Sequence, residues 1–250
     1  MADARVMLIT GAGRGIGAAV ARLGAMRGYH LCLTYRNETP RAEATAAACR
    51  EAGAAVLLMR ADMAEEAEIS RVFGALDAQF GRLDALVNNV GMTGPTGTLL
   101  DTPLSVWDDV LRLNVIGTVA CSREAVRRMA RSRGGQGGAI VNVSSRASTL
   151  GGSGEWIHYA ASKGAMDTLT VGLAKEVAAE GIRVNAVSPG LIDTELHARA
   201  GLPDRIARLG PGAPLGRAGT AEEVAEGVLW LLSDAASYVT GATLPVSGGR

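Results

Sequence analysis

The chain has 250 residues, 48% of them hydrophobic and 20% charged, and its 25 acidic and 25 basic side chains give a formal net charge of +0. A balanced charge argues against a nucleic-acid binder, which needs a clustered excess of Lys and Arg to neutralise phosphates. The length sustains one core, so a single domain spanning residues 1–250 is expected. Apolar runs such as Val6 to Ile9 and Val228 to Leu232 fall far short of the roughly 20 residues that cross a bilayer, so no membrane association is expected. The short apolar run after Met1 to Arg5 is too brief for an export signal. Cys32, Cys49 and Cys121 are odd in number and widely spaced. They form neither a disulfide framework nor a metal-site spacing, so the expectation is a cytoplasmic protein without a metal.

In chain order, Arg5 to Thr10 reads as a strand, Gly15 to Gly28 as a helix and His30 to Tyr35 as a second strand. Pro40 to Ala52 reads as a helix, Ala55 to Arg60 as a strand, and Ala64 to Phe80 as a helix with apolar residues at Ile69, Val72, Phe73, Leu76 and Phe80. Leu83 to Val87 is a short buried strand, Ser105 to Ser132 a long helical region, Gly138 to Val143 a strand, Tyr159 to Glu180 a helix and Ile182 to Val187 a strand. A helix from Ala221 to Leu232 and a short strand at Thr243 to Val246 complete the chain. This alternation predicts an α/β fold: a Rossmann-like, doubly wound, seven-stranded parallel sheet with helices on both faces. Gly91 to Gly97 and Gly151 to Gly154 follow strands at the carboxyl edge, where such a sheet binds ligands, whereas Gly134 to Gly138 precedes a strand and reads as a surface turn.

The first strand runs into Thr10-Gly11-Ala12-Gly13-Arg14-Gly15-Ile16-Gly17 and then a helix. Glycines there let the backbone turn tightly and present free helical N–H groups to a pyrophosphate. Three glycines at fixed offsets arise by chance about half a time in so Gly-rich a chain, so the strand before and the helix after carry the reading. The residues at the end of the second strand select the dinucleotide. A carboxylate there pairs with the ribose of NAD, but this chain has Tyr35-Arg36, with Arg14 inside the turn. Two guanidinium groups facing a 2′-phosphate favour NADP(H), with NAD as the second choice. Glu38 nearby is a competing partner for Arg36.

Tyr159 and Lys163 are four apart at the start of a helix and therefore share a face. The chain has only two lysines, Lys163 and Lys175, and a chance Tyr-x-x-x-Lys pair is expected only about 0.03 times. A phenol with a pKa of about 10 is a poor base at neutral pH, and a neighbouring ammonium favours the phenolate.

At these motifs the chain resembles the short-chain dehydrogenase/reductase family over essentially its whole length. The matching residues are Thr10 to Gly17, Asp62, Asn88-Asn89-Val90-Gly91, Asn114, Ser145, the Tyr159/Lys163 pair, Pro189-Gly190 with Thr194, and Gly248-Gly249. The resemblance implies that Tyr159 is the general acid/base, Lys163 lowers its pKa and holds the nicotinamide ribose, Ser145 hydrogen-bonds the substrate oxygen, and Asn114 holds a relay water. It implies that Gly11, Arg14, Gly15, Ile16, Gly17, Tyr35, Arg36, Asp62, Met63, Asn89, Gly91, Tyr159, Lys163, Pro189, Gly190, Ile192 and Thr194 form the dinucleotide site. It also implies a homotetramer with the Tyr159 and Ala221 helices and the C-terminal strand in its interfaces. Three departures stand out: Val90 for the family's alanine, Ser247 for its frequent aspartate, and a spacing of 14 from Ser145 to Tyr159 that leaves Ser144 as an alternative to Ser145.

Arg146, Ser148, Glu155, Trp156, Leu191 and His197 fall on loops expected to rim the substrate end. Arg146 either attracts an anionic group or pairs with Glu155, and Trp156 either walls the substrate or pins the loop. His158 points elsewhere on its helix and reads as structural. Residues 193–212 read as a lid. Arg127, Arg128, Arg131 and Arg133 read as a solvated helix end paired in part through Glu124, or as a carrier-protein contact. The expected function is NADP(H)-dependent hydride transfer between nicotinamide and a small-molecule carbonyl or secondary alcohol. The alternatives are a glucose or sugar 1-dehydrogenase, a 3-oxoacyl-carrier-protein reductase and, from another class, a non-catalytic dinucleotide sensor.

Overall fold

The computed structural model describes residues 4–250, so Met1, Ala2 and Asp3 of the segment read for an export signal, and the His197 side chain, lie outside the described residues. Seven strands form one parallel sheet: β1 (Val6–Ile9), β2 (His30–Tyr35), β3 (Val56–Arg60), β4 (Ala85–Asn88), β5 (Gly138–Val143), β6 (Ile182–Pro189) and β7 (Thr243–Val246). The helices are α1 (Gly15–Met26), α2 (Thr39–Glu51), α3 (Glu66–Phe80), α4 (Leu104–Leu111), α5 (Gly117–Met129), α6 (Ala147–Leu150), α7 (Ile157–Val177), α8 (Leu196–Arg199), α9 (Arg205–Leu209) and α10 (Ala221–Leu232). The strand order is β3-β2-β1-β4-β5-β6-β7. The chain reverses its direction of winding between β1 and β4, and a crevice opens beyond the carboxyl ends of those strands.

Alternation along each strand divides the core into two layers. Met7, Ile9, Val87, Val141 and Val187 point to one face, where α1 and α10 cover them with Ala19, Val20, Val224 and Val228. Leu8, Leu86, Ile140 and Val184 point to the other, against Phe73 and Leu76 of α3, Cys121 and Ala125 of α5 and Ala174 of α7. Burial on both faces explains why β1 and β4 read as short continuous apolar runs. Each fully buried Leu, Ile or Phe side chain contributes roughly 1.5–3 kcal/mol.

Element boundaries differ from expectation where a side chain competes for the backbone. Asp62 Oδ1 accepts from Ala64 N at 3.0 Å, making a turn that delays α3 to Glu66. Asp84 is occupied by Val6 N at 2.7 Å, so β4 begins after it. The long helical region is interrupted by a π-helical turn over Arg112–Ile116, which bears Asn114. β6 continues to Pro189 because β7 pairs with it up to Pro189 and Val246. No helix among the described residues is long and apolar enough to cross a membrane.

Gly17 is packed tightly where α1 meets the turn after β1 and the residue that follows β4. A Cβ added there would lie 2.5 Å from both Asn89 Nδ2 and the Gly11 carbonyl oxygen. Overpacking of this kind costs about 1–3 kcal/mol, and each kcal/mol lowers Tm by roughly 2–4 °C in a chain of this size. Gly17→Ala is therefore expected to melt several degrees below the wild-type protein in a calorimetric scan, and an unchanged Tm would contradict this packing.

Candidate active site

The turn between β1 and α1 is built around Thr10 and Asn89. Thr10 Oγ1 accepts from Asn89 N at 3.0 Å and Val90 N at 3.1 Å, while Asn89 Nδ2 donates to the Thr10 and Gly11 carbonyls at 2.9 and 3.0 Å. These bonds clamp the start of the turn onto the end of β4. Gly11 and Gly15 have φ of 70° and 52°, a region that favours glycine. The turn opens onto a cavity of ≈ 510 Å³, a size suited to small-molecule ligands.

Most of the residues singled out in the sequence meet in that cavity: Gly11, Arg14, Gly15 and Ile16 from the turn, Asn89 and Gly91 after β4, Ser145 after β5, Tyr159 and Lys163 of α7, and Pro189, Gly190, Ile192 and Thr194 after β6. Asn114 stands directly behind. A Cβ on Gly91 would lie 3.4 Å from both Asn114 Oδ1 and Lys163 Nζ, so that glycine lets the two polar groups converge. Asn114 Nδ2 donates to the Met92 carbonyl and Ser162 Oγ, and Oδ1 accepts from Met92 N, each at 2.9 Å. Tyr35 and Arg36 line an adjoining cavity with Gly13, Arg14, Glu38 and Arg199. Gly17 is packed beneath the turn. Asp62 pairs with Arg36 at 3.1 Å, and the Met63 side chain is buried 4.0 Å from Cys121 Sγ.

The Tyr159 phenol is buried, which pushes its pKa above the ordinary value, and a hydrogen bond with the Ser145 side chain opposes that rise. Ser144 Oγ instead donates to the Lys163 carbonyl at 3.3 Å, so Ser145 is the serine that meets the tyrosine. Lys163 is 3% exposed. Its ammonium lies 5.6 Å from the Tyr159 ring centroid and donates to the Val143 carbonyl at 2.7 Å. Burial lowers its pKa to about 8, with the nearby Asp167 carboxylate opposing. Here the structure departs from the sequence expectation. The group that lowers the phenol pKa is Ser145, because the ammonium is turned toward β5.

Two pairings that the sequence left open as alternatives are replaced by others. Glu155 pairs with Arg205 rather than Arg146, and Arg146 Nε donates to the Arg250 main-chain oxygen at 2.8 Å. Glu38 pairs with Arg14, Arg41 and Arg199 rather than Arg36. Residues 193–212 form two short helices, α8 and α9, tied down by Arg41 to Glu195 and Arg205 to Glu155. The segment carries little periodicity, and no local pattern marks Arg205 as a cavity residue. His158 is structural, as its ring nitrogen bonds the Thr93 carbonyl at 2.7 Å. Arg128 pairs with Glu124 at 2.7 Å, four residues back, and also with Asp77 at 2.6 Å.

A family model described as enoyl-(acyl carrier protein) reductase matches residues 11–250. The chain is 47% identical over 245 residues to an uncharacterised oxidoreductase, YgfF, of Escherichia coli (strain K12), covering 98% of this chain and 99% of that protein. It is 41% identical to the cis-4-hydroxycyclohexanecarboxylate dehydrogenase of Sinomonas cyclohexanicum, covering 98% of this chain and 96% of that one. The chain belongs to the short-chain dehydrogenase/reductase family. The crystal structure of levodione reductase superposes with a TM-score of 0.89 at 33% identity, covering 98% of this chain and 96% of that one. As a short-chain dehydrogenase/reductase the protein is an oxidoreductase acting on alcohol and carbonyl groups, and the family uses NAD(P).

The bond between Ser145 and Tyr159 has a measurable consequence for this family member. Removing it in Ser145→Ala is expected to push the buried phenol still higher, seen as one tyrosine whose absorbance at about 295 nm titrates at more alkaline pH. Titration curves that superpose for the two proteins would contradict the contact.

Proposed function

We propose that the protein transfers hydride between NADP(H) and a small-molecule carbonyl or secondary alcohol, with Tyr159 as general acid/base. The observation that carries this reading is the Tyr159 phenol, bonded to Ser145 and neighboured by Lys163 in a cavity that runs to the glycine turn. A phenol held above its ordinary pKa is neutral at physiological pH and suited to giving a proton to a carbonyl oxygen. Ser145 supplies a second donor to the same oxygen as negative charge develops. Lys163 would hold the ribose hydroxyls, and Asn114, behind Gly91, would hold a water that connects Lys163 with solvent.

The residues present fit a dinucleotide. The positive-φ glycines 11 and 15 leave space at the turn, and α1 begins there with no acidic residue in its first turn, which suits a pyrophosphate. Gly15, Ile16 and Thr194 would hold the pyrophosphate, and Pro189, Gly190 and Ile192 the carboxamide end. Gly11, Asn89 and Gly91 would line the adenosine side, with Asp62 and Met63 toward the adenine. When bound, the nicotinamide supplies or accepts the hydride. Arg14 and Arg36, on one cavity wall beside Tyr35, support NADP(H) over NAD. Their partners Glu38 and Asp62 sit in exposed pairs of modest strength, which a 2′-phosphate dianion can displace.

The name of the Sinomonas relative supports a secondary alcohol as substrate. A carrier-protein contact at Arg127, Arg128, Arg131 and Arg133 loses support because Arg127 and Arg128 are paired with Glu124 and Asp77. The exposed Ile116 of the π-helical turn, Val119 of α5 and Val171 of α7 support a homotetramer, and the free cysteines support a cytoplasmic location.

A screen of carbonyls and alcohols followed at about 340 nm tests the reading. Tyr159→Phe is expected to lose at least about 10²-fold in turnover, and alcohol oxidation by the wild-type protein to accelerate from neutral to alkaline pH as the phenol ionises. Turnover indifferent to Tyr159→Phe would refute the assignment. NADPH is expected to bind more tightly than NADH, with a narrower gap in Arg36→Ala; equal affinities would refute the 2′-phosphate argument. Sedimentation is expected to give a tetramer, and a concentration-independent monomer would rule that assembly out.

A further inference from the structure

Tyr159 lies in the first turn of α7, and the residues just before that helix form a wall of the same cavity that the chemistry above does not use. Trp156 is 5% exposed and Arg205, brought in by α9, is 7% exposed. The Arg205 guanidinium lies over the Trp156 ring, 4.8 Å from its centroid, and its Nη1 donates to Glu155. Its Nε is buried without a hydrogen-bond partner, although the side chain is only 9% exposed. A guanidinium carries five N–H donors and no acceptor, and a buried donor left unmade is costly. This charge is thus buried, held in orientation by an aromatic face and only partly satisfied by the protein.

The surrounding charges have the same sign. Arg146 and Arg250 line the cavity with Arg205, and Arg208 and Arg250 act on Glu155 together with Arg205, holding its carboxyl below the usual carboxylate range. Glu195, the other acidic residue in the cavity wall among the described residues, is engaged by Arg41 on the opposite side. Glu155 is therefore the side-chain carboxylate set among these arginines, and Arg146 is engaged by the Arg250 main-chain oxygen.

Resting on the oxidoreductase reading, we infer that Arg205, stacked on Trp156, is a specificity-determining residue that receives a carboxylate on the substrate, so that the substrate is a hydroxy acid or oxo acid. The carboxylate accepts from the Arg205 guanidinium where it lines the cavity and competes with Glu155 for it, a pairing that arginine favours. Trp156 supplies a flat apolar wall for the carbon skeleton beside it. The family turn, Tyr159 and Lys163 provide the chemistry, and this wall selects what is presented to them.

Benzoate and benzamide, isosteric and unable to react, separate this inference from the catalytic one. Each is titrated into the full chain in the presence of the tighter-binding oxidised dinucleotide, with tryptophan fluorescence as the readout. Benzoate is expected to bind at least about tenfold more tightly than benzamide, as a charge-assisted hydrogen bond provides. Arg205→Met is expected to bring the two within about twofold, and Glu155→Gln, which removes the competing carboxylate, to tighten benzoate by about threefold. The gain in Glu155→Gln does not arise from misfolding. Equal binding in the wild-type protein, a preference that survives Arg205→Met, or no tightening in Glu155→Gln would each overturn the inference. Tyr159→Phe is expected to keep the benzoate preference, so loss of turnover in that variant reports on catalysis alone.

Discussion

The buried ammonium of Lys163 is the constraint around which the site is arranged. Its bond to the Val143 carbonyl at 2.7 Å joins the middle of the first half of α7 to the last residue of β5. That junction sets Tyr159, one turn earlier on α7, beside Ser145, two residues beyond the strand. Holding a charge there is unfavourable by itself, and the fall of its pKa to about 8 is the signature of that burial. The arrangement keeps a proton-carrying group poised near physiological pH without exposing it to solvent.

A second electrostatic system surrounds the other end of the crevice. Arg14, Arg41 and Arg199 converge on Glu38, and Arg41 also reaches Glu195. Glu38 itself adopts φ of 63°, a left-handed conformation uncommon for a residue with a side chain. These exposed pairs join the turn after β1, the start of α2 and α8, so the segment over the crevice and the glycine turn share partners. Pairs of this kind are individually weak. The buried Asn88, Asn142 and Thr170 side chains, bonded in series at 2.9 Å, form a rigid counterpart at the centre of the sheet.

Much of this was legible in the sequence because the signals were local. The strand-turn-helix around Gly11 to Gly17 and the Tyr159/Lys163 spacing depend on short-range geometry, and the apolar runs of β1 and β4 announce burial on both faces. The structure corrected what depends on long-range partners. Arg146 and Glu155 are nine residues apart and of opposite charge, yet Glu155 is taken by Arg205, 50 residues away. Glu38 likewise turned to Arg199 rather than to nearby Arg36. The π-helical turn at Asn114 was equally hidden, since its one-residue insertion shifts the phase of the helix but leaves the local spacing on either side helical.

Lys163 is held as a buried ammonium against the end of β5. With only two lysines in the chain, the side-chain εCH₂ signals of isotopically labelled protein can be followed by NMR as pH is raised. One lysine is expected to titrate near 8, with that signal missing from Lys163→Met. If both lysines titrate near the free-chain value of about 10.4, the burial that organises the site is contradicted.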